Sequence, residues 1–250
     1  MKLFSRATLA ALLTLAATSL FAAAPRTIVF ASDATYPPME LINTKTKEVT
    51  GYTIDVLVAA GKAAGFKPEF RNTAWDGIFA GLEAGRYDGV ASSVSITEDR
   101  KKNMDFSVPY FEVMQGGVVL KDSPVKSLAD LKGLKVGVQI NTTAHALAKK
   151  LPDITLKTYD ENGLAVEDLF NGRLGAVICD SPVAANYAIQ DAKYSKKLRL
   201  AFVHKSPEPE YYGIAIKKGN TEVLTLINQG IKAITENGEL AKLQKKWIPE

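Results

Sequence analysis

The feature that most constrains this chain is a regular exchange of short apolar runs with segments of helical spacing, sustained from Thr27 to Trp247. Runs that read as strands fall at 27–31, 66–70, 89–94, 118–120, 135–138, 155–158, 176–178 and 212–216. Helical patterns fall at 54–64, 76–84, 143–151, 163–171, 182–191 and 222–247, the last with a break at Asn237-Gly238. Tyr36-Pro37-Pro38 reads as a rigid turn, and the polar stretch 45–48 as the turn of a hairpin. Strands that alternate with helices predict an α/β fold with mainly parallel sheets.

Within this pattern the segment 78–90 is echoed by 165–177. Each is a helix closed by Gly, then an Arg, then a strand. The first strand runs into Ser92-Ser93 and the second into Asp180-Ser181. Helix-to-strand joints are short and stereotyped, so chance likeness is one reading. The other is two lobes of like architecture. Open α/β sheets bind ligands beyond the carboxyl ends of their strands. Two such lobes facing each other would bring both polar termini into one cleft. A chain of 250 residues has room for one large domain or for two lobes of roughly 100 residues each.

Composition narrows the function classes. With 46% hydrophobic and 23% charged residues, the chain has a globular, soluble profile. Its net charge of +4 is spread out, with no basic block to bind nucleic acid. A single cysteine, Cys179, excludes an internal disulfide framework and a Cys-based zinc site. Two histidines 59 residues apart argue against a His-rich metal site, and no metal or cofactor is expected. Residues 1–24 read as an export signal: Lys2 and Arg6, an apolar run over 7–20, then Ala22-Ala23-Ala24. A buried N-terminal helix is the alternative. Cleavage is expected at 22–24 and lowers the net charge from +4 to +2, because two basic residues leave. No Cys stands there to carry a lipid anchor, so an exported, soluble protein is expected.

Four places carry candidate chemistry. In Ser92-Ser93-Val94-Ser95-Ile96-Thr97-Glu98-Asp99-Arg100 a strand ends in serines and a helix begins, with Ser95 and Glu98 at capping-box spacing. Free N–H groups at a helix start attract anions, and Arg100 in the first turn makes sense facing one. A guanidinium grips a carboxylate with two parallel bonds. The plainer reading pairs Arg100 with Glu98 or Asp99 on the surface. Asp180 lies between a buried strand and a helix with Pro182 in its first turn; it is either a helix cap or a carboxylate aimed at an ammonium group. Gln139-Ile140-Asn141-Thr142-Thr143 joins another strand to a helix, where N–H groups and hydroxyls can meet a carboxylate. Tyr36 and Trp75 sit in loops, either as local packing or as walls around a side chain, where a cation gains roughly 0.5–2 kcal/mol. One Arg and one Asp at two strand-to-helix joints suit an α-amino acid zwitterion. Each charged hydrogen bond contributes roughly 1.5–3 kcal/mol, against the roughly 8 kcal/mol that a micromolar site needs.

These residues resemble the periplasmic polar-amino-acid-binding proteins of ABC importers, the receptors for glutamine, histidine and lysine/arginine/ornithine. The resemblance spans about 26–249. It rests on Ala31-Ser32-Asp33-Ala34-Thr35-Tyr36-Pro37-Pro38, Gly51-Tyr52-Thr53-Ile54-Asp55, Ala74-Trp75-Asp76-Gly77, the run Ser92 to Arg100, Asp105-Phe106-Ser107 with Pro109-Tyr110, Val136-Gly137-Val138-Gln139, Asp180-Ser181-Pro182 and Tyr212-Gly213-Ile214-Ala215.

The resemblance implies a two-lobed periplasmic-binding-protein fold of type II, with two mixed sheets flanked by helices. Lobe one is then 25–109 with 213–250, lobe two is 115–207, and crossing hinge segments lie at 110–114 and 208–212. It further implies that Arg100 binds the ligand carboxylate and Asp180 the amino group. Ser92 ends its strand at the cleft, and Ser93, Ser95, Thr142 and Thr143 complete the α-carbon end. Asp33, Tyr36, Trp75 and Gln139 surround the side chain. The implied partners are an L-amino acid and an inner-membrane permease, with the protein a monomer. Asn141 stands where the family often has Gly, and Cys179 where relatives vary. The aromatic walls favour arginine or lysine, then glutamine. An enzyme of the cyclohexadienyl dehydratase kind is the rival class; the sequence shows no nucleophile elbow, HExxH or phosphate loop. A receptor's sensor domain, a third reading, calls for a membrane helix or signalling domain after Trp247.

Overall fold

The computed structural model describes residues 25–248, so the export segment expected at 1–24 lies outside the described residues. The chain opens with β1 (Arg26–Ser32), then a small antiparallel sheet of β2 (Thr35–Tyr36), β3 (Glu40–Ile42) and β4 (Val49–Thr50), whose turn is the expected polar stretch. Helix α1 (Tyr52–Ala64) ends where Gly65 turns left-handed at φ 79° and its N–H bonds Gly61 O. There follow β5 (Phe66–Asn72), α2 (Ile78–Glu83), β6 (Gly89–Val90), α3 (Glu98–Lys101), β7 (Met104–Phe106) and β8 (Phe111–Val113). The next stretch carries β9 (Gln115–Leu120), β10 (Lys135–Gln139), α4 (Thr143–Ala148), β11 (Thr155–Tyr159), α5 (Asn162–Phe170), β12 (Ala176–Asp180), α6 (Ser181–Ala185) and β13 (Leu198–His204). The chain then returns through β14 (Glu210–Tyr212), β15 (Ala215–Lys217), α7 (Thr221–Glu236) and α8 (Glu239–Trp247).

Two five-stranded sheets result, ordered β5-β1-β6-β15-β7 and β11-β10-β12-β9-β13. Each has three parallel strands, then an antiparallel strand, then an edge strand antiparallel to that one. The sequence echo is the matching joint in each. After α2, Gly85 N–H bonds Leu82 O and Arg86 N–H bonds Gly81 O; after α5, Gly172 bonds Leu169 O and Arg173 bonds Asp168 O. Both glycines are left-handed, at φ 71° and 74°, which closes the helix and aims the chain back at the sheet. Strands β8 and β14 pair antiparallel as a separate ribbon, Tyr212 opposite Phe111, between the two sheets in the chain order.

Side chains alternate across the second sheet with period two. Val136, Val138, Ala176 and Ile178 pack with α4, while Val177 and Cys179 pack with Ala165 and Leu169 of α5 and Val183 of α6. Cys179 is therefore a small buried hydrophobe. In the first sheet Ile28 and Phe30 face Leu57 of α1 and Ile227 of α7, and Ala31 and Val90 face Ile78 and Leu82 of α2. Helices α1 and α7 touch at Gly230, where a Cβ would lie 2.4 Å from Ala60 O.

The structure differs from the sequence expectation in several places, the first being that the sheets are mixed rather than mainly parallel. The strand expected at 89–94 stops at Val90, because Ser93 takes a left-handed φ of 47°. The strand expected at 212–216 divides at Gly213 into β14 and β15, which belong to different sheets. The helix expected at 182–191 is α6 followed by a π turn over Asn186–Gln190. Strands β7, β8 and β13 were not expected: the first two are three residues long, and β13 is half-buried along most of its length and carries a bulge near Leu200, which blurs its alternation.

Candidate functional site

Strands β1, β6, β10 and β12 are parallel within their sheets, and their carboxyl ends deliver Asp33, Ser92, Gln139 and Asp180 to one place. A small cavity lies there, between the ends of the two sheets. Those four residues line it together with Tyr36, Trp75, Ser93, Ser95, Arg100, Thr142 and Thr143. All eleven residues named from the sequence thus meet around one cavity. The two sheets' ends are bound across it: Trp75 Nε1 donates to Ile140 O at 2.9 Å, Gln139 Nε2 to Asp33 Oδ2 at 3.1 Å, and Arg100 Nη2 to Asn141 O at 3.1 Å.

Arg100 is held by its backbone and by aromatic rings. Thr97, rather than Ser95, caps α3 by accepting from Arg100 N; Ser95 instead forms a bridge with Tyr212. The plainer reading of Arg100, a surface pair with Glu98 or Asp99, is not what the structure shows: those acids pair with Lys101 and Lys102. The guanidinium donates from Nη1 to Ser95 O at 2.9 Å and lies 5.5 Å from the Trp75 ring centre and 5.2 Å from that of Phe79. Trp75 thus faces the protein's own cation as well as the cavity. Of five guanidinium N–H donors, two are used among the described residues and three are left. Burial lowers the Arg100 pKa, and the charges of Asp180 and Glu210 oppose that shift.

Asp180 begins α6, yet its side chain makes no capping bond. Its Oδ2 accepts from Tyr212 at 2.5 Å and its Oδ1 from Gln115 Nε2 at 2.8 Å. Burial, reinforced by the charge of Glu210, raises its pKa to about 6, against the hydroxyls of Tyr212 and Tyr36 and the Gln115 amide. Thr143 donates to Glu210 Oε1 at 2.7 Å, and the Thr142 hydroxyl donates to Gln139 O at 2.8 Å while accepting from His145 N. Both hydroxyls are engaged within the protein. Asn141 adopts φ 60°, a left-handed geometry Asn tolerates, and so takes the place of a glycine. Ser93 donates to Glu40 Oε1 at 2.8 Å, and burial raises the fully buried Glu40 to about 8. Asp33 is raised by burial and accepts from Thr35 Oγ1 at 2.7 Å.

Sequence reasoning missed Phe79, Glu40, Gln115, Glu210 and Tyr212. Gln115 and Glu40 offered a faint signal, as polar residues set beside apolar runs; Phe79, Glu210 and Tyr212 matter only through partners distant in the chain. Among the described residues no cluster of His, Cys, Asp and Glu could hold a metal ion, and no helix is long and apolar enough to cross a membrane.

This fold and cleft define the class of amino-acid-binding architectures. An ancestral arginine-binding protein bound to glutamine superposes with a TM-score of 0.82 at 37% identity, covering 90% of this chain and 98% of that one. The ancestral amino acid-binding protein AncCDT-1, a precursor of cyclohexadienyl dehydratase, superposes at 0.78 with 36% identity, covering 89% and 95%. The probable histidine-binding protein of Neisseria gonorrhoeae is 37% identical over 224 residues, 87% of this chain and 81% of that protein. The chain belongs to the bacterial extracellular solute-binding proteins, family 3, whose model matches residues 28–250.

Proposed function

We propose that this protein is the periplasmic binding component of an ABC amino-acid importer, and that its cleft closes around one L-amino acid. One observation carries the reading: Arg100, with three donors unused among the described residues, and the buried carboxylate of Asp180 line the same small cavity. Arg100 takes the ligand carboxylate with help from the N–H groups near Ser93, Ser95, Thr142 and Thr143. Asp180 takes the ammonium. Asp33, Tyr36, Trp75 and Gln139 surround the side chain. Arginine or lysine suits this end best, then glutamine, in keeping with the relatives' names. Lobe one comprises 25–109 and 213–250, and lobe two 115–207. Segments 110–114 and 208–212 hinge between them, a reading supported by the β8–β14 ribbon. The protein works as a monomer, is exported by residues 1–24, and hands its ligand to an inner-membrane permease without chemical change.

Four to five charged hydrogen bonds at roughly 1.5–3 kcal/mol each bracket the roughly 8 kcal/mol of a micromolar site, so the site suffices when lobe closure excludes water. A thermal-shift panel of the twenty amino acids plus ornithine and citrulline tests the reading. The basic amino acids should give the largest stabilisation, and a panel with no responder refutes it. The dehydratase-like rival draws on the AncCDT-1 likeness and on the Asp180 pKa near 6, suited to proton donation. Prephenate or arogenate recovered unchanged after incubation rejects that rival, and its conversion would reject the binding-only reading.

A further inference from the structure

Four non-glycine residues take a left-handed backbone among the described residues, and Ser93, at φ 47°, is the buried one; Lys47, Asn141 and Asp153 are exposed. That geometry is disfavoured wherever a Cβ is present, and Ser lacks the tolerance for it that Asn and Asp have. Ser93 stands in the bend between β6 and α3, which lines the cavity with Ser92 and Ser95 as well. Its neighbours are tied to main-chain N–H groups: Ser92 Oγ accepts from Asp33 N at 2.9 Å, and Val94 O from Gly213 N at 3.0 Å. Ser93 itself makes no main-chain hydrogen bond among the described residues. Its hydroxyl turns inward instead, donating to Glu40 Oε1 of β3 at 2.8 Å and lying 3.4 Å from Thr53 Oγ1 of α1. Glu40 is fully buried, and its Oε2 has no partner there, so its carboxyl group is taken out of water for the one bond to Ser93.

We infer that Glu40 is a positioning residue for ligand binding that acts through Ser93: from beneath the cavity it holds the Ser93 hydroxyl, keeps that residue left-handed, and so sets the course of the bend from Ser92 to Ser95. The hydroxyl proton of Ser93 is thereby spent inside the protein, and what Ser93 adds to the cavity is its backbone. Strained backbone persists only where its surroundings hold it. Without the tether, Ser93 relaxes towards an ordinary φ and the binding-competent bend becomes a minor state. The ligand must then restore it, and affinity falls in proportion to the population lost. The inference rests on the amino-acid reading of the cleft and favours no ligand within that class.

Two substitutions of Ser93 separate its backbone from its hydroxyl. Ser93→Ala and Ser93→Gly both remove the bond to Glu40, but only Gly adopts the left-handed geometry freely. Titration calorimetry with L-arginine at pH 7 should show Ser93→Ala weaker than wild type by about 5- to 30-fold, and Ser93→Gly within about threefold of wild type. Glu40→Leu should match Ser93→Ala. Glu40→Gln should bind nearly as wild type does, because burial pushes the Glu40 carboxyl up to about 8 and a neutral acid is what Gln imitates at pH 7. In a Glu40→Leu background, Ser93→Gly should recover most of the lost affinity, a rescue that loss of packing at Glu40 would not allow. Circular dichroism verifies the fold of each variant, and the pair at Ser93 decides the matter even where Glu40→Leu does not fold. No difference between Ser93→Ala and Ser93→Gly, or a folded Glu40→Leu that binds as wild type does, overturns this inference alone. A wild type that binds neither L-arginine nor L-glutamine, titrated beside it, overturns the amino-acid reading, and this inference with it.

Discussion

Glu40 stores a pH dependence that a single substitution should remove. It lies fully buried beneath the cavity floor, accepts from Ser93 Oγ, and faces Thr53 and the charge of Asp33. In the unfolded chain it releases its proton near its ordinary value of 4.5, and in the folded protein only near 8, chiefly because burial disfavours the charged form. Between those values the folded state holds one proton more than the unfolded state, so each unit rise in pH disfavours folding by about 1.4 kcal/mol. From about pH 5 to about pH 7.5 the contribution lost is roughly 3 kcal/mol. Glu40→Gln keeps an acceptor for Ser93 and cannot titrate. Urea unfolding at both pH values should therefore show wild type losing roughly 3 kcal/mol more than Glu40→Gln as pH rises. Equal losses would refute a neutral, buried Glu40.

Other outcomes follow from the same geometry. Affinity for an L-amino acid should fall about tenfold per pH unit below about 6, as Asp180 is protonated and loses its hold on the ammonium. The deaminated analogue, titrated alongside, should lack that slope. Trp75→Phe keeps a ring against Arg100 and removes the bond to Ile140 O that ties the two sheets' ends together. Ligand affinity should fall by roughly 2- to 12-fold, read by fluorescence or calorimetry, with the melting temperature of ligand-free protein nearly unchanged. Gly230→Ala drives a methyl into Ala60 O across the α1–α7 contact and should cost roughly 1–3 kcal/mol in denaturant unfolding, with binding by the folded fraction unaffected.

Much of the fold was legible because its signals are local. Helix α1 shows in the spacing of Ile54, Leu57 and Val58 and in Gly65, and β12 in an apolar run that ends on an acid. The repeated joint was legible because Gly85 and Gly172 meet the same backbone demand, a left-handed closing turn. The cavity residues were legible where each ends a strand. What escaped was set by partners far along the chain. Ser95 has capping-box spacing, but its pairing with Tyr212 takes it out of the helix start and leaves Thr97 to cap. Phe79 matters because α2 brings its ring to Arg100, and Glu210 because Gln115 of β9 and Thr143 of α4 both reach it. No spacing rule encodes such meetings.

Arginine, agmatine, which lacks the carboxylate, and 5-guanidinopentanoic acid, which lacks the amine, together test the division of labour between Arg100 and Asp180. Calorimetric titration of the three into wild type, Arg100→Ala and Asp180→Asn is the decisive measurement. The account predicts that Arg100→Ala costs arginine at least about tenfold and agmatine almost nothing, and that Asp180→Asn spares only the deaminated ligand. Equal losses for all three ligands in both variants would contradict it.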